Sequence, residues 1–376
     1  MKRLLLALPA LLVACSDTGP LREPAELVKV ESPAVKPRVV WDASPGDGGD
    51  ELHTRLRLAV EPDVVVTADI GGEVHALSPQ DGRRLWTADT DARLVAGPTV
   101  SGALVLVGTL DAEVIALKRS DGSAAWRAAV SSEVMAPPAS DGRVVVVRCG
   151  DGKVFGLNAE TGARVWSFDR AVPPLTLRGL SAPLLNGGIA YIGLDNGRLV
   201  ALRIDTGDVL WEEVVAAPSG RTELERIVDV DADPLITPEG IYAVSFGGEL
   251  AAIGLTDGRV AWRRPIKSYS GVALAGGILA VTDENGVVWA LDAQTGAAAW
   301  KQEALKFRRL SPPLVLGDYV VVADYEGYVH WLAPQDGRIV GRVRAVRDQV
   351  TAPPVEHEGR LYLLGDNGDV AAVTVN

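Results

Sequence analysis

The chain has 376 residues, of which 47% are hydrophobic, with 40 glycines, 23 prolines and only two methionines. Its 49 acidic residues outnumber 37 lysines and arginines, for a net charge of −12. That balance argues against a nucleic-acid partner and against electrostatic adhesion to anionic lipid.

The chain opens with Lys2-Arg3 and an apolar segment, Leu4 to Ala14, too short to span a bilayer. It ends Leu12-Val13-Ala14-Cys15. Small residues before Cys15 resemble a bacterial lipobox, which predicts a lipoprotein signal peptide over 1–14, cleavage before Cys15 and lipid on its sulfur. The alternative is an ordinary signal peptide that contains a cysteine. Ser16 rather than Asp after the cysteine is the pattern of lipoproteins sent to the outer membrane. Loss of Lys2 and Arg3 would leave the mature chain at about −14. Cys149 would then be its one free thiol, a small buried hydrophobe ending the run Val144–Arg148. Residues 15–36 are polar, contain proline and show no period, as expected of a lipidated tether.

From residue 37 onward the chain repeats itself. Asp81-Gly82 leads to Trp86, Asp121-Gly122 to Trp126, Thr161-Gly162 to Trp166 and Thr206-Gly207 to Trp211. Asp257-Gly258 leads to Trp262 and Thr295-Gly296 to Trp300, while Asp336-Gly337 leads to Gly341 in place of tryptophan. The intervals are 40, 40, 45, 51, 38 and 41 residues. A period near forty with strand-like content predicts a β-propeller of four-stranded blades. Within one repeat, Ala103–Val107 and Glu113–Leu117 read as buried strands, Asp121-Gly122 as a tight hairpin and Ala125–Arg127 as the outer strand. The tryptophans then act as wedges in the widening gap between blades. Prolines at 98, 137, 183, 234, 312 and 353 recur where an innermost strand begins.

Arg38–Trp41 reads as an outer strand that no repeat precedes. The C-terminal repeat, through Arg360–Leu364 and Asp369–Val373, stops where its outer strand is due. Joining the two predicts an all-β, eight-bladed propeller over 37–376 whose last blade is closed by the N-terminal strand. The competing arrangement is a seven-bladed ring with a frayed end.

Two connections break the period. From the wedge position to the residue before the recurrent proline takes 10 or 11 residues in four repeats, but 16 from Trp166 and 22 from Trp211. Both insertions fall on one face of the disc and are neighbours. The first carries Leu175, Leu177 and Arg178; the second carries Asp229 and Asp231. Two exposed leucines beside an arginine that a carboxylate can orient form a protein-binding patch. The other reading is that Arg178 and Asp229 or Asp231 pair only to hold two long loops together.

Other chemistry is missing from the sequence. The four histidines have no ligand spacing between them, and there is no cysteine cluster, phosphate loop or nucleophile elbow. Asp229-Val230-Asp231 fails as a calcium loop because Pro234 and Gly240 stand where Gly and Glu are needed. No metal, cofactor or catalytic residue is expected.

The repeats resemble those of the pyrroloquinoline-quinone-type propellers. Lipobox, tether and all eight blades together are similar to the BamB family of the outer-membrane β-barrel assembly machinery. The segments that carry this are Leu175-Thr176-Leu177-Arg178-Gly179 with Ser181-Ala182-Pro183, and Asp229-Val230-Asp231. The resemblance implies a non-enzymatic periplasmic scaffold, lipid-anchored at the outer membrane, that assists folding and insertion of outer-membrane proteins. It implies contact of Leu175, Leu177, Arg178, Asp229 and Asp231 with a transport-associated domain of BamA. Such a disc either orients those domains or holds nascent outer-membrane strands by addition to an edge. The rival expectations are a quinoprotein dehydrogenase, whose vicinal and haem-binding cysteines this chain lacks, and a sugar-binding propeller, for which only Tyr325, Tyr328 and Trp331 offer aromatics.

Overall fold

The computed structural model describes residues 22–49, 54–177 and 180–375. The expected signal peptide, Cys15, Arg178 and Gly179 lie outside these residues. Blade 1 consists of Ala59–Glu61, Val64–Ala68, Glu73–Leu77 and Arg84–Asp89, from the axis outward. The next six blades repeat this antiparallel order, ending with Ile339–Arg344. Blade 8 takes Val355–His357, Arg360–Leu364 and Val370–Val375 from one end of the chain and Pro37–Ala43 from the other. The register runs from Pro37 opposite Val375 to Ala43 opposite Val370. The ring is therefore eight-bladed and closed as the sequence predicts.

Period-two and continuous apolar patterns place the strands. The second strands, such as Val64–Ala68 and Val144–Arg148, are buried along their whole length between adjacent blades. Outer strands alternate instead: in Ala124–Ala129, Trp126 and Ala128 face inward and their neighbours face water. A bulge just before each wedge position, such as that between Ala124 and Trp126, turns the indole into the gap between blades.

The gap is closed the same way seven times. Trp126 Nε1 donates to Ala159 O at 2.8 Å, Trp166 Nε1 to Ile204 O at 2.7 Å and Trp211 Nε1 to Leu255 O at 3.1 Å. Trp41, Trp86, Trp262 and Trp300 do likewise. Each acceptor lies just before the glycine turn of the following blade, and the indole lies flat on that glycine. A Cβ on these glycines would stand 2.4–2.7 Å from the ring, and their φ values of 67–75° favour glycine in any case.

The eighth joint has no such turn, because blade 8 ends at Val375 and its outer strand begins independently at Pro37. A wedge on blade 7 would have nothing to rest on. Gly341 stands there, and Val35 fills the space: a Cβ on Gly341 would lie 2.4 Å from Val35 Cγ2. Ala34 N donates to Val340 O at 2.9 Å. The missing tryptophan thus leaves room for the incoming chain.

Residues 22–36 contain no regular secondary structure, but part of this segment is docked on the ring. Ala25 N donates to Lys306 O, Arg308 Nη1 to Ala25 O and Arg342 Nη1 to Val28 O, at 2.8–2.9 Å. The axis is also occupied by the chain. Arg55–Leu56 pairs in parallel with the innermost strand of blade 2, and Arg55 and Arg57 reach Asp233 of the far connection at 2.9 and 3.1 Å. Most recurrent prolines precede the innermost strands rather than start them; Pro98 alone lies inside one, Leu94–Ser101. Cys149 is buried, and desolvation pushes its thiol up to about 11, so it remains neutral.

Trp126→Ala is expected to destabilise the ring by about 3–5 kcal/mol in urea unfolding, from the lost packing and cavity. Gly341→Trp is also expected to destabilise, by displacing Val35; a gain in stability would contradict this account of the eighth joint.

Candidate partner-docking surface

The two long connections run from Phe168 to Leu184 and from Val214 to Leu235. In the first, Pro173-Pro174 restricts the backbone and leaves Leu175 and Leu177 40% and 42% exposed. In the second, a single 3₁₀ turn, Leu224–Arg226, is held by its own side chains. Glu225 accepts from Arg221 N at 2.6 Å, and Thr222 Oγ1 accepts from Glu225 N at 3.2 Å. That turn presents Leu224 at 71% exposure. Pro173–Leu175 of one loop and Glu223, Arg226 and Ile227 of the other line a shared cleft of about 310 Å³.

The carboxylates under this surface are not at its tip. Asp229 and Asp231 are 0% and 4% exposed, which corrects the expectation that the second loop offers them to a partner. They point inward because Val228 and Val230 pack on blade 4: Val230 N donates to Leu194 O, and Val230 fits against Gly193. Asp229 Oδ2 accepts the backbone N–H of Leu177 at 2.5 Å, tying one insertion to the other. Asp195, from the turn of blade 4, has its carboxylate oxygen within 4.8 Å of those of Asp229 and Asp231. It pairs with the buried Arg148 at 2.5 Å, and Arg148 also donates to Ser181. Asp233 completes the seam by accepting from Ala182 N at 2.7 Å.

Three buried acids around Arg148 shift the proton balance. Burial first, then the charge of Asp231, pushes Asp229 up to about 7. Burial, opposed by Arg148 and reinforced by Asp195, pushes Asp231 up to about 6.

Of the five residues singled out by sequence, Leu175, Leu177, Asp229 and Asp231 are brought together, the leucines outside and the acids beneath. Arg178 lies outside the described residues. Leu224, Asp195 and Arg148 were missed. Asp195 looks like one more turn aspartate, whereas a charged residue closing the valine run 144–147 was a visible signal for Arg148.

The comparisons bear on the family and the fold. The family model described as outer membrane protein assembly factor BamB matches residues 38–302. The chain belongs to the BamB family. The outer membrane protein assembly factor BamB of Alkalilimnicola ehrlichii is 50% identical over 374 residues, 99% of this chain and 97% of that protein. The crystal structure of BamB from Moraxella catarrhalis superposes with a TM-score of 0.83 at 27% identity, covering 90% of this chain and 99% of that one. A quinohemoprotein alcohol dehydrogenase of Pseudomonas putida reaches a TM-score of 0.71 at 15% identity, covering 90% of this chain and 76% of that one, a likeness of fold alone.

For this BamB-family chain, the buried acids make stability pH-dependent. Their folded values of about 7 and about 6 exceed the ordinary 3.8, so the folded state binds more protons than the unfolded chain. The contribution is fully present below about pH 4 and lost as pH rises through 6 to 7. Asp229→Asn keeps the acceptor for Leu177, so it should raise the calorimetric midpoint at pH 8 and leave it nearly unchanged at about pH 3.5, where both states of the parent are protonated. Equal shifts at both pH values would contradict this.

Proposed function

We propose that this chain is a non-enzymatic scaffold, held at the periplasmic face of the outer membrane by lipid on Cys15. It binds the periplasmic transport-associated domains of BamA and thereby assists the folding and insertion of outer-membrane proteins. The relatives' designation as outer membrane protein assembly factors supports this reading. The observation that carries it is the exposure of Leu175 and Leu177 on a loop whose backbone is fixed by a buried carboxylate. A partner gains most from apolar anchors that are already ordered, because less conformational entropy is lost on binding.

The roles divide accordingly. Leu175 and Leu177 are the anchors, and Leu224 extends the apolar area across the cleft. Arg178 supplies the charged contact beside them. Asp229 and Asp231 act as positioning residues, through the backbone of Leu177 and the packing of the second loop. The axis supports a scaffold rather than a quinone enzyme, since Arg55 and Leu56 occupy the innermost layer and Arg55 and Arg57 are bound to Asp233.

Leu177→Glu and Arg178→Glu are each expected to weaken co-purification with BamA from membranes by about 2 kcal/mol, roughly thirtyfold. Circular dichroism and thermal midpoint should be unchanged. Leu85→Glu, at an exposed apolar position on the rim of blade 1, serves as the control and should bind as the parent does. Full retention of BamA by both loop variants would overturn the assignment of this surface.

A further inference from the structure

Three turns between second and third strands share one frame. Asp69, Asp283 and Asp324 each use Oδ1 to accept the N–H four residues on, from Glu73, Val287 and Tyr328, at 3.0 Å. In each, Oδ2 faces the side chain six residues on. At Asp283 that side chain is Trp289, whose Nε1 donates at 2.9 Å. At Asp324 it is His330, with Nε2 at 2.9 Å. There Arg308 Nε donates to the same oxygen at 2.7 Å, and Arg342 Nε donates to His330 Nδ1 at 3.1 Å. At both sites Oδ2 is hydrogen-bonded to the side chain six residues on, and at Asp324 the neighbouring Arg308 balances the carboxylate.

Blade 1 keeps the aspartate and the histidine, but Thr87 stands opposite His75 where Arg342 stands opposite His330, and Glu73 takes the place of Tyr328. His75 Nε2 stands 3.6 Å from Asp69 Oδ2 and 3.7 Å from Glu73 Oε2. The ring is fully buried, yet Nε2 has no hydrogen-bond partner. Its other nitrogen, Nδ1, lies 3.1 Å from Thr87 Oγ1. With Nδ1–H donating to Thr87, the bare Nε2 lone pair faces two carboxylate oxygens. The arrangement calls for a cation among them. A proton on Nε2 would draw a carboxylate to about 2.7–2.9 Å, the separation found at His330 and not at His75. Ligands held about 2.0–2.2 Å from a tetrahedral ion stand roughly 3.3–3.6 Å apart, close to the separations seen.

Space for that ion comes from Gly46, in the connection that leads from the closing strand into blade 1. A Cβ on residue 46 would fall 2.5 Å from Asp69 Oδ2 and 2.7 Å from His75 Nε2, between the converging atoms. The same connection is tied to both neighbouring turns, Gly49 N donating to Asp366 O and Ile70 N to Gly48 O. It is the seam where the ring closes.

We propose that Asp69, Glu73 and His75 bind a divalent transition-metal ion of the zinc class, through Asp69 Oδ2, Glu73 Oε2 and His75 Nε2. Water completes the tetrahedron, and Thr87 fixes the imidazole from behind. The ion neutralises the two acids and, since all three ligands belong to one turn and strand of blade 1, its role is to stiffen that turn beneath the Gly46 connection.

The test uses the purified full chain after chelator treatment, titrated with Co²⁺ and then Zn²⁺. One equivalent of Co²⁺ should give the visible absorption of a tetrahedral nitrogen–oxygen site, and Zn²⁺ should displace it and raise the thermal midpoint. Glu73→Gln, at a half-exposed position that leaves the fold intact, should weaken binding at least tenfold and remove the thermal gain. Gly46→Ala, with all three ligands retained, should block the site. Absence of stoichiometric binding, or binding unaffected by Glu73→Gln, would overturn the proposal. So would nitrogen-15 spectra of the metal-free chain showing His75 as imidazolium at pH 7 with no change on adding Zn²⁺.

Discussion

The structure depends on one repeated contact: an indole on the outer strand of seven of the eight blades lying on a glycine of the next blade's turn. The contact joins two terms in one place. The ring buries a large apolar face in the gap that opens with distance from the axis, and its N–H satisfies a carbonyl of the turn beyond. Glycine is needed both for the left-handed turn and for the approach of the ring. Tryptophan and glycine are 34 to 47 residues apart in sequence, about one repeat, so each joint links consecutive blades and the disc is a chain of nearest-neighbour interfaces.

Closure is the one place where that logic fails, and the chain handles it with different material. Blade 8 is assembled from both ends, so its last joint has no hairpin for an indole to meet. Val35 and the backbone around Ala34 fill the gap over Gly341, while residues before them are held by arginines of blade 7. Residues 44–49 lie against the turn of blade 1, and Arg55 and Arg57 run into the axis. The N-terminal region is thus part of the ring.

Regular joints free the connections on one face to vary, because no wedge depends on them. Two have lengthened, and long exposed loops need internal support to present a fixed surface. Here the support is electrostatic and buried. Asp229 holds Leu177, Asp195 holds Arg148, and Asp233 gathers Ala182, Arg55 and Arg57. Burying three acids beside one arginine is unfavourable for the charged forms, which is why Asp229 and Asp231 titrate near neutrality. The face formed by the two long connections therefore rests on a proton-sensitive layer.

What the sequence determined by itself was everything local or periodic: the forty-residue repeat, the glycine turns, the wedge tryptophans, the composite last blade and the two lengthened connections. These are legible because strand alternation and turn chemistry act over a few residues and then recur. Leu175 and Leu177 were legible too, since an inserted loop on a closed disc has few places to hide an apolar side chain. Only the tertiary structure decided that Asp229 and Asp231 turn inward, that Leu224 faces out, and that Gly341 makes room for Val35. It alone brought Asp69, Glu73 and His75 beneath Gly46. Each of these is settled by contacts between segments distant in the chain, where the direction of a side chain depends on what has already packed beside it.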